Sequence, residues 1–350
     1  MPQEQRVTPL VSIIVPCYNE EGTIRLLLDA IYQQEYPRQQ IEVIIADGLS
    51  TDRTRQEIAA FQAEHPDLRL MVVENRKRII PAGLNRAIEE AGGEIIVRLD
   101  AHSMPYPDYV TCCVADLLQG FGQNVGGVWK IRPHRSTAAA RAIAAAAAHP
   151  LGVGDAHYRF ADRAQQVDTV PFGAFRRELI QEIGGFDESL LTNEDYEFNV
   201  RVRRSGGTVW LDPAIKSVYF ARPSFQALAR QYWRYGFWKA RMLWSYPDTL
   251  RWRQFLPPIF LLSLVSLAIV SLLFPAAAWV LLVEVIMYVF ALLAASIPLA
   301  VKNSDPMLAI GIPAAIATMH LSWGAGLISN FVRLFFSRPK AIQNFNSVKR

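Results

Sequence analysis

The sequence predicts an α/β protein: a doubly wound, mostly parallel sheet, followed by interfacial helices and a C-terminal α-helical transmembrane region. Three observations carry this expectation. Apolar runs alternate with helix-spaced segments through roughly the first hundred residues. Those runs are apolar at consecutive positions, as strands covered on both faces must be. Charge then vanishes toward the end: residues 255–301 hold one charged side chain, Glu284, and residues 306–332 hold none.

Taken in order, "LVSIIVP" (10–16) is a strand, and "EEGTIRLLLDAIYQQ" (20–34) carries apolar residues at helical spacing. "IEVIIAD" (41–47) is a second strand, followed by a helix led by Thr51 and Asp52. "LRLMVVEN" (68–75) is a third strand, "PAGLNRAIEEA" (81–91) a helix, and "EIIVRLD" (94–100) a fourth strand. The alternation then loosens. "AAARAIAAAAAH" (138–149) is an alanine-rich helix, and 150–166 reads as a flexible excursion with Gly152 and Gly154 as hinges. "VDTVPFGAFRRELIQEIGGFDE" returns through a strand and a helix that "IGG" stops.

The whole chain sets bounds. At 350 residues there is room for one large domain and something smaller. "LVSIIVP" is too short for a signal-peptide apolar core, so the soluble part is expected in the cytoplasm. Cys17, Cys112 and Cys113 lack zinc-ligand spacing and are expected to be packing residues. Net charge is +4, but its placement matters more: from Arg222 to Phe255 seven basic residues face one acid, Asp248, with aromatics interleaved. Such a stretch before apolar segments reads as a membrane-interface helix and not as a nucleic-acid site.

Each strand ends in polar residues: Tyr18-Asn19-Glu20, Asp47-Gly48, Asn75-Arg76-Lys77-Arg78 and Asp100-Ala101-His102. Parallel strands deliver these groups to one edge, where ligands of open α/β sheets bind. Carboxylates, cations and an imidazole together suit a nucleoside diphosphate with a divalent cation. Neither GxGxxG nor GxxxxGK[ST] is present, which disfavours a dinucleotide enzyme or a P-loop ATPase.

These residues resemble the family 2 inverting glycosyltransferases of GT-A fold. "VSIIVPCYNEEGTI" resembles the family's opening strand and turn, "IIADGLSTDRT" its nucleotide-facing segment, "RLDAH" its DxD motif and "TNEDYEFNVRVRRSGG" its catalytic ED motif. Within the family the chain is most similar to the ExoA-like enzymes of succinoglycan-type exopolysaccharide assembly. The resemblance implies Asp195 as the catalytic base with Glu194 orienting it. It implies a nucleotide-sugar pocket of Pro16, Tyr18, Glu20, Asp47, Lys77 and Asp100. It also implies an acceptor side at Phe172 and Gly173, and at Gln231 and Arg234 of "QYWRY". In that last motif the family's Trp is Tyr235, which puts processive synthesis in doubt. The final DxD position is His102 here, so Asp100 and His102 imply a cation site preferring Mn2+ over Mg2+. Plainer alternatives stand beside these: Asn193 as helix N-cap with acids at a helix start, His102 as a polar loop residue, Pro16 and Tyr18 as a simple turn, Lys77 as a solvated cation, and Gln231 and Arg234 as interfacial anchors.

The expected domains are a cytoplasmic GT-A domain (1–222), basic and aromatic interface helices (223–254), transmembrane segments (255–335, at about 255–274, 277–301 and 307–332) and a basic tail (336–350). Flanking basic residues, Arg251 and Arg253 before and Arg333, Arg338, Lys340, Lys349 and Arg350 after, want both ends cytoplasmic, which three full spans forbid. The expected function is transfer of a sugar, glucose in β linkage, from a UDP-sugar to a polyprenyl-diphosphate-linked saccharide. The enzyme would be multi-pass in the inner (cytoplasmic) membrane, within reach of polysaccharide-assembly machinery. Two alternatives are a polyprenyl-phosphate glycosyl synthase and a non-catalytic, membrane-anchored sugar-nucleotide binder or scaffold.

Overall fold

A computed structural model describes residues 8–249 and 251–336. The opening residues 1–7 and the basic tail from Ser337, with Arg338, Lys340, Lys349 and Arg350, lie outside the described residues.

The chain runs β1 (Val11–Cys17), α1 (Ile24–Tyr32), β2 (Ile41–Asp47), α2 (Thr54–Glu64), β3 (Arg69–Glu74), α3 (Ile80–Glu90) and β4 (Ile95–Arg98). It continues through β5 (Met104–Pro105), α4 (Tyr109–Gln119), β6 (Asn124–Pro133), α5 (Ala138–Ala147), α6 (Pro150–Val153), β7 (Gln165–Gln166), β8 (Ala174–Arg176), α7 (Glu178–Ile183), α8 (Glu194–Arg204) and β9 (Val209–Ala221). Four helices follow: α9 (Phe225–Ser245), α10 (Leu256–Val270), α11 (Pro275–Lys302) and α12 (Leu308–Phe336). The described residues form two compact units, those up to 131 with 156–219, and 132–155 with those from 220 onward.

The first unit is built on one sheet of order β3-β2-β1-β4-β8-β6-β9-β5, with β7 on β9. Alternation of side chains explains its doubly apolar strands. Val11, Ile13 and Val15 of β1 face one core with Val43, Ile45 and Val97, while Ile14, Ile44 and Ile96 face the other. Ile24, Leu27, Leu28 and Ile31 of α1 cover the first face at helical spacing, and Leu84 and Ala87 of α3 cover the second.

β1 to β4 pair in parallel. β8 is antiparallel to both β4 and β6, and β5 and β7 are antiparallel to β9. The sheet is therefore mixed, parallel from β1 to β4 as the sequence predicts, with antiparallel pairs added beyond β4. The strand order reverses between β1 and β4, which opens a crevice at their carboxyl ends.

The second unit is helical. α9 and α12 approach closely at two glycines: a Cβ on Gly236 would lie 2.1 Å from the Trp323 carbonyl oxygen, and one on Gly326 2.2 Å from that of Trp233. Asn330 Nδ2 donates to the Phe237 carbonyl at 2.6 Å across the same seam. The alanine-rich α5 belongs to this unit. Its Ala142 packs against Gly311 of α12, and Arg141 pairs with Asp305 at 2.7 Å. Gly152, expected as a hinge, is buried; a Cβ there would meet the Ala146 carbonyl oxygen at 2.6 Å, so it is a packing glycine. The segment around it forms α6 and a 3-10 turn at His157–Arg159 instead of an open excursion.

Two helices, Pro275–Lys302 and Leu308–Phe336, are long and apolar enough to cross a membrane. α10, at 15 residues, falls short of the roughly 20 a bilayer core requires.

Candidate active site

The strand ends meet at the crevice, and the loops are tied to one another. After β1, the Asn19 N–H donates to Ser50 Oγ at 2.9 Å and the Glu20 N–H to Thr54 Oγ1 at 2.7 Å, joining the loops that follow β1 and β2. Glu20 Oε1 lies 3.2 Å from His102 Nδ1, which brings in the loop after β4. Asn19, Leu49, Arg78, Phe172 and Asn193 all have positive φ. All five lie in loops that follow strands or precede α8. Such strain in non-glycine residues persists where the surroundings over-determine it, as at binding sites.

At the centre stands Arg98, the last residue of β4 and 2% exposed. Its guanidinium reaches Asp100 at 3.1 Å and Glu194 at 2.9 Å, and it pairs with Asp195. A buried arginine among three carboxylates joins the DxD-like strand end to the start of α8, and its planar fork suits several such partners. Sequence reasoning missed this residue by reading "IIVRLD" as a plain core strand. The available signal was a charge inside an apolar run, since arginine is almost never buried unpaired.

α8 is fixed from below. Arg201 donates to the carbonyls of Ile183 (2.6 Å), Gly184 (3.0 Å) and Gly185 (2.7 Å), and pairs with the buried Glu197 at 2.7 Å. The alternative role for Asn193 is corrected in part. It occupies the N-cap position, but in a left-handed conformation and with no side-chain capping bond.

On the proposed nucleotide side, Asp47 is fully buried, bonded to Arg55 Nε and Ser50 Oγ, each at 2.5 Å. Tyr18 is exposed and lies over Gly48, where a Cβ would meet its ring at 3.1 Å, and the Arg78 guanidinium carbon lies 5.9 Å from the ring centroid. Pro16 is buried beside Gly83. Lys77 pairs with Glu188, which Asn85 also holds at 3.1 Å. Partial burial works against it, yet these hydrogen bonds keep the Glu188 carboxyl below the usual range. Binding of a diphosphate by Lys77 therefore requires exchanging this pair.

Phe172 is buried in the core beside Gly173, whose carbonyl accepts from the Arg98 N–H at 3.1 Å. A Cβ on Gly173 would meet Asn124 Oδ1 at 2.1 Å, so glycine here admits Asn124 beneath the loop. Gln231 and Arg234 lie on α9 in the second unit, where Gln231 Nε2 donates to the Tyr235 hydroxyl at 2.9 Å. Among the described residues no three His, Cys, Asp or Glu side chains form a metal-binding group. The cysteines have no disulfide, and burial pushes the Cys17 thiol up and that of Cys112 up to about 11, so they remain protonated packing groups.

Comparison with known proteins agrees with this architecture. Residues 12–184 match the family described as glycosyl transferase family 2. The succinoglycan biosynthesis protein ExoA of Rhizobium meliloti (strain 1021) is 30% identical over 316 residues, covering 90% of this chain and 92% of its own. A dolichyl N-acetyl-alpha-D-glucosaminyl phosphate 3-beta-D-2,3-diacetamido-2,3-dideoxy-beta-D-glucuronosyltransferase of Methanococcus voltae is 28% identical over 330 residues, covering 92% of this chain and 97% of its own. Among solved structures, the mannosyltransferase PcManGT from Pyrobaculum calidifontis, in complex with GDP-Man and Mn2+, matches with a TM-score of 0.61 and 26% identity, over 93% of this chain and 88% of its own. With a GT-A sheet, a crevice at its switch point and a relative of this identity along almost its whole length, the chain belongs to glycosyl transferase family 2 and is a glycosyltransferase.

Proposed function

We propose that this glycosyltransferase moves a sugar from a nucleoside-diphosphate donor onto a lipid-linked saccharide in polysaccharide assembly, with inversion and with Asp195 as base. The observation that carries the reading is the Arg98 cluster, which holds Asp195, Glu194 and Asp100 together at the carboxyl edge of the sheet. Asp195, partly exposed, takes the acceptor hydroxyl proton, and Glu194 and Arg98 hold it in place. Asp47 with Arg55 lines the base side, and Tyr18 offers its ring beside it. Asp100 and His102 supply a carboxylate and an imidazole on one tight turn, with Glu20 against the imidazole. Such a mixed donor set fits Mn2+ better than Mg2+. A bound cation would neutralise charge on the leaving diphosphate.

UDP-glucose is the donor we favour, by likeness to the succinoglycan protein. A guanine nucleotide is the second reading, favoured by the GDP-Man bound to the Pyrobaculum enzyme. For the lipid side, α11 exposes Trp279, Met287 and Phe290 in an apolar belt, which suits a bilayer.

The test is nucleotide release from UDP- and GDP-sugars by detergent-solubilised protein with membrane lipid extract. Asp195→Asn is expected to lower turnover about 100- to 10,000-fold while nucleotide binding survives. Turnover that persists in Asp195→Asn would remove the base assignment. His102→Asp is expected to shift cation affinity from Mn2+ toward Mg2+ in calorimetric titration; an unchanged ratio would leave His102 a loop residue.

A further inference from the structure

Across the sheet from the nucleotide side lies an aromatic cluster that the reading above does not use. Trp129 of β6 stacks on Tyr219 of β9 with centroids 4.2 Å apart and planes within 3°. Tyr158 meets the Trp129 ring edge-on at 4.9 Å, and Phe172 lies 5.6 Å away. Arg159, 7% exposed, sets its guanidinium carbon 5.0, 5.4 and 5.8 Å from the centroids of Trp129, Tyr158 and Tyr219. Trp129, Tyr158 and Tyr219 each keep part of their surface open, and Trp129 Nε1 has no hydrogen-bond partner.

Register fixes where this cluster sits. β6 runs parallel to β4, because both are antiparallel to β8, and Val125 stands level with Ala174 and Val97. Trp129 follows Val125 by four residues, about 13 Å of extended chain, so it is level with Ala101 and beyond the end of β4. Laterally, β6 is two strands from β4, about 10 Å, on the side away from β1 and β2. The aromatic faces therefore share the catalytic edge with Arg98 and lie opposite the loops that carry Asp47 and Tyr18. Phe172, with positive φ, is the link, since Gly173 beside it binds the Arg98 N–H.

We propose that Trp129, Tyr158 and Tyr219, with Arg159, form a saccharide subsite for the acceptor, which sets acceptor choice in the reaction proposed above and rests on that reading for its role. The chemistry fits a pyranose. One face of the ring presents C–H groups that pack on an aromatic plane, while its rim of hydroxyls needs donors and acceptors. Tyrosine and tryptophan combine an apolar body with a polar tip, and a guanidinium offers several fixed donors. The base and ribose side is already supplied from β1 and β2. The position of the cluster on the far side of Arg98 points to the second substrate.

The experiment uses full-length protein in detergent. Intrinsic fluorescence is titrated with a panel of soluble methyl glycosides and diglycosides of glucose, galactose, mannose and N-acetylglucosamine, without donor. The chain has eight tryptophans, so the signal is the difference between the wild type and Trp129→Phe. At least one saccharide is expected to perturb the wild type saturably and not the variant. With lipid extract as acceptor, Trp129→Leu is expected to raise the acceptor KM about tenfold with little change in kcat. Tyr158→Ala, off the sheet, is the second variant should Trp129→Leu fail to fold, and UDP or GDP binding reports integrity in both. Saccharides that perturb neither protein, or both equally, overturn the subsite, as does an unchanged acceptor KM in a folded variant. Saccharide binding without any turnover would instead overturn the transfer reaction and leave the subsite standing.

Discussion

At the scale of the residue, Arg98 decides the most. It is buried with three carboxylates around it, so its removal leaves the buried Glu194 without its cationic partner and beside Asp195. Arg98→Met is expected to destabilise the protein by about 3–5 kcal/mol, read as a lowered thermal midpoint. Arg98→Lys restores the charge but not the fork, and falls between them. A Met variant as stable as its parent would show the cluster to be solvated in solution. Sequence likeness pointed to Asp100, Glu194 and Asp195, because their types and order match known motifs. Arg98, Arg55 and Glu188 were not legible in that way. Their importance comes from partners 96, 8 and 111 residues distant, and pairing at such separations leaves no local periodicity to read.

At the scale of the element, α4 and β9 meet through two acids. Burial, reinforced by the charge of Asp212 and a hydrogen bond with it, pushes the Asp116 carboxyl up to about 6. The unfolded chain ionises this group near its ordinary value of 3.8. Below about pH 4 both states are protonated and the contact costs nothing. As pH rises through 6 the folded state must ionise a group that the unfolded chain has already ionised, and stability falls by on the order of 2 kcal/mol. Asp116→Asn is expected to abolish that decline and to exceed its parent in denaturant midpoint at pH 7.5, with convergence below pH 4. A parent midpoint flat from pH 4 to 7.5 would contradict it. Most elements of the sheet unit could be read from the chain, because β1, β2 and β4 are apolar on both faces and α1 repeats its apolar residues at helical spacing. Strand direction beyond β4 could not. β8 has three residues and β5 and β7 two each, too short for any pattern, and only the pairing with β4, β6 and β9 orients them.

At the scale of the whole molecule, the flanking cations bear on how many apolar helices cross a membrane. Three crossings would place Arg251 and Arg333 on opposite sides, whereas two return the chain to the side from which it left. We propose two crossings, with the 15-residue α10 not spanning. The protein is then expected to stay with membranes through an alkaline carbonate wash and to leave them only with detergent; release by carbonate would make it peripheral. The place of α5 was hidden in the sequence because an alanine-rich helix names no partner. Its neighbours, Gly311 and Asp305, lie far along the chain. That distance has a consequence during synthesis. The buried face of α5, with Ala140, Ile143 and Ala147, leaves the ribosome long before α12 exists to cover it. At roughly 5–20 residues per second, the interval between them is about 10–30 s. For that time the nascent chain carries an uncovered apolar helix face, and a chaperone or the bilayer surface must shelter it until α12 arrives.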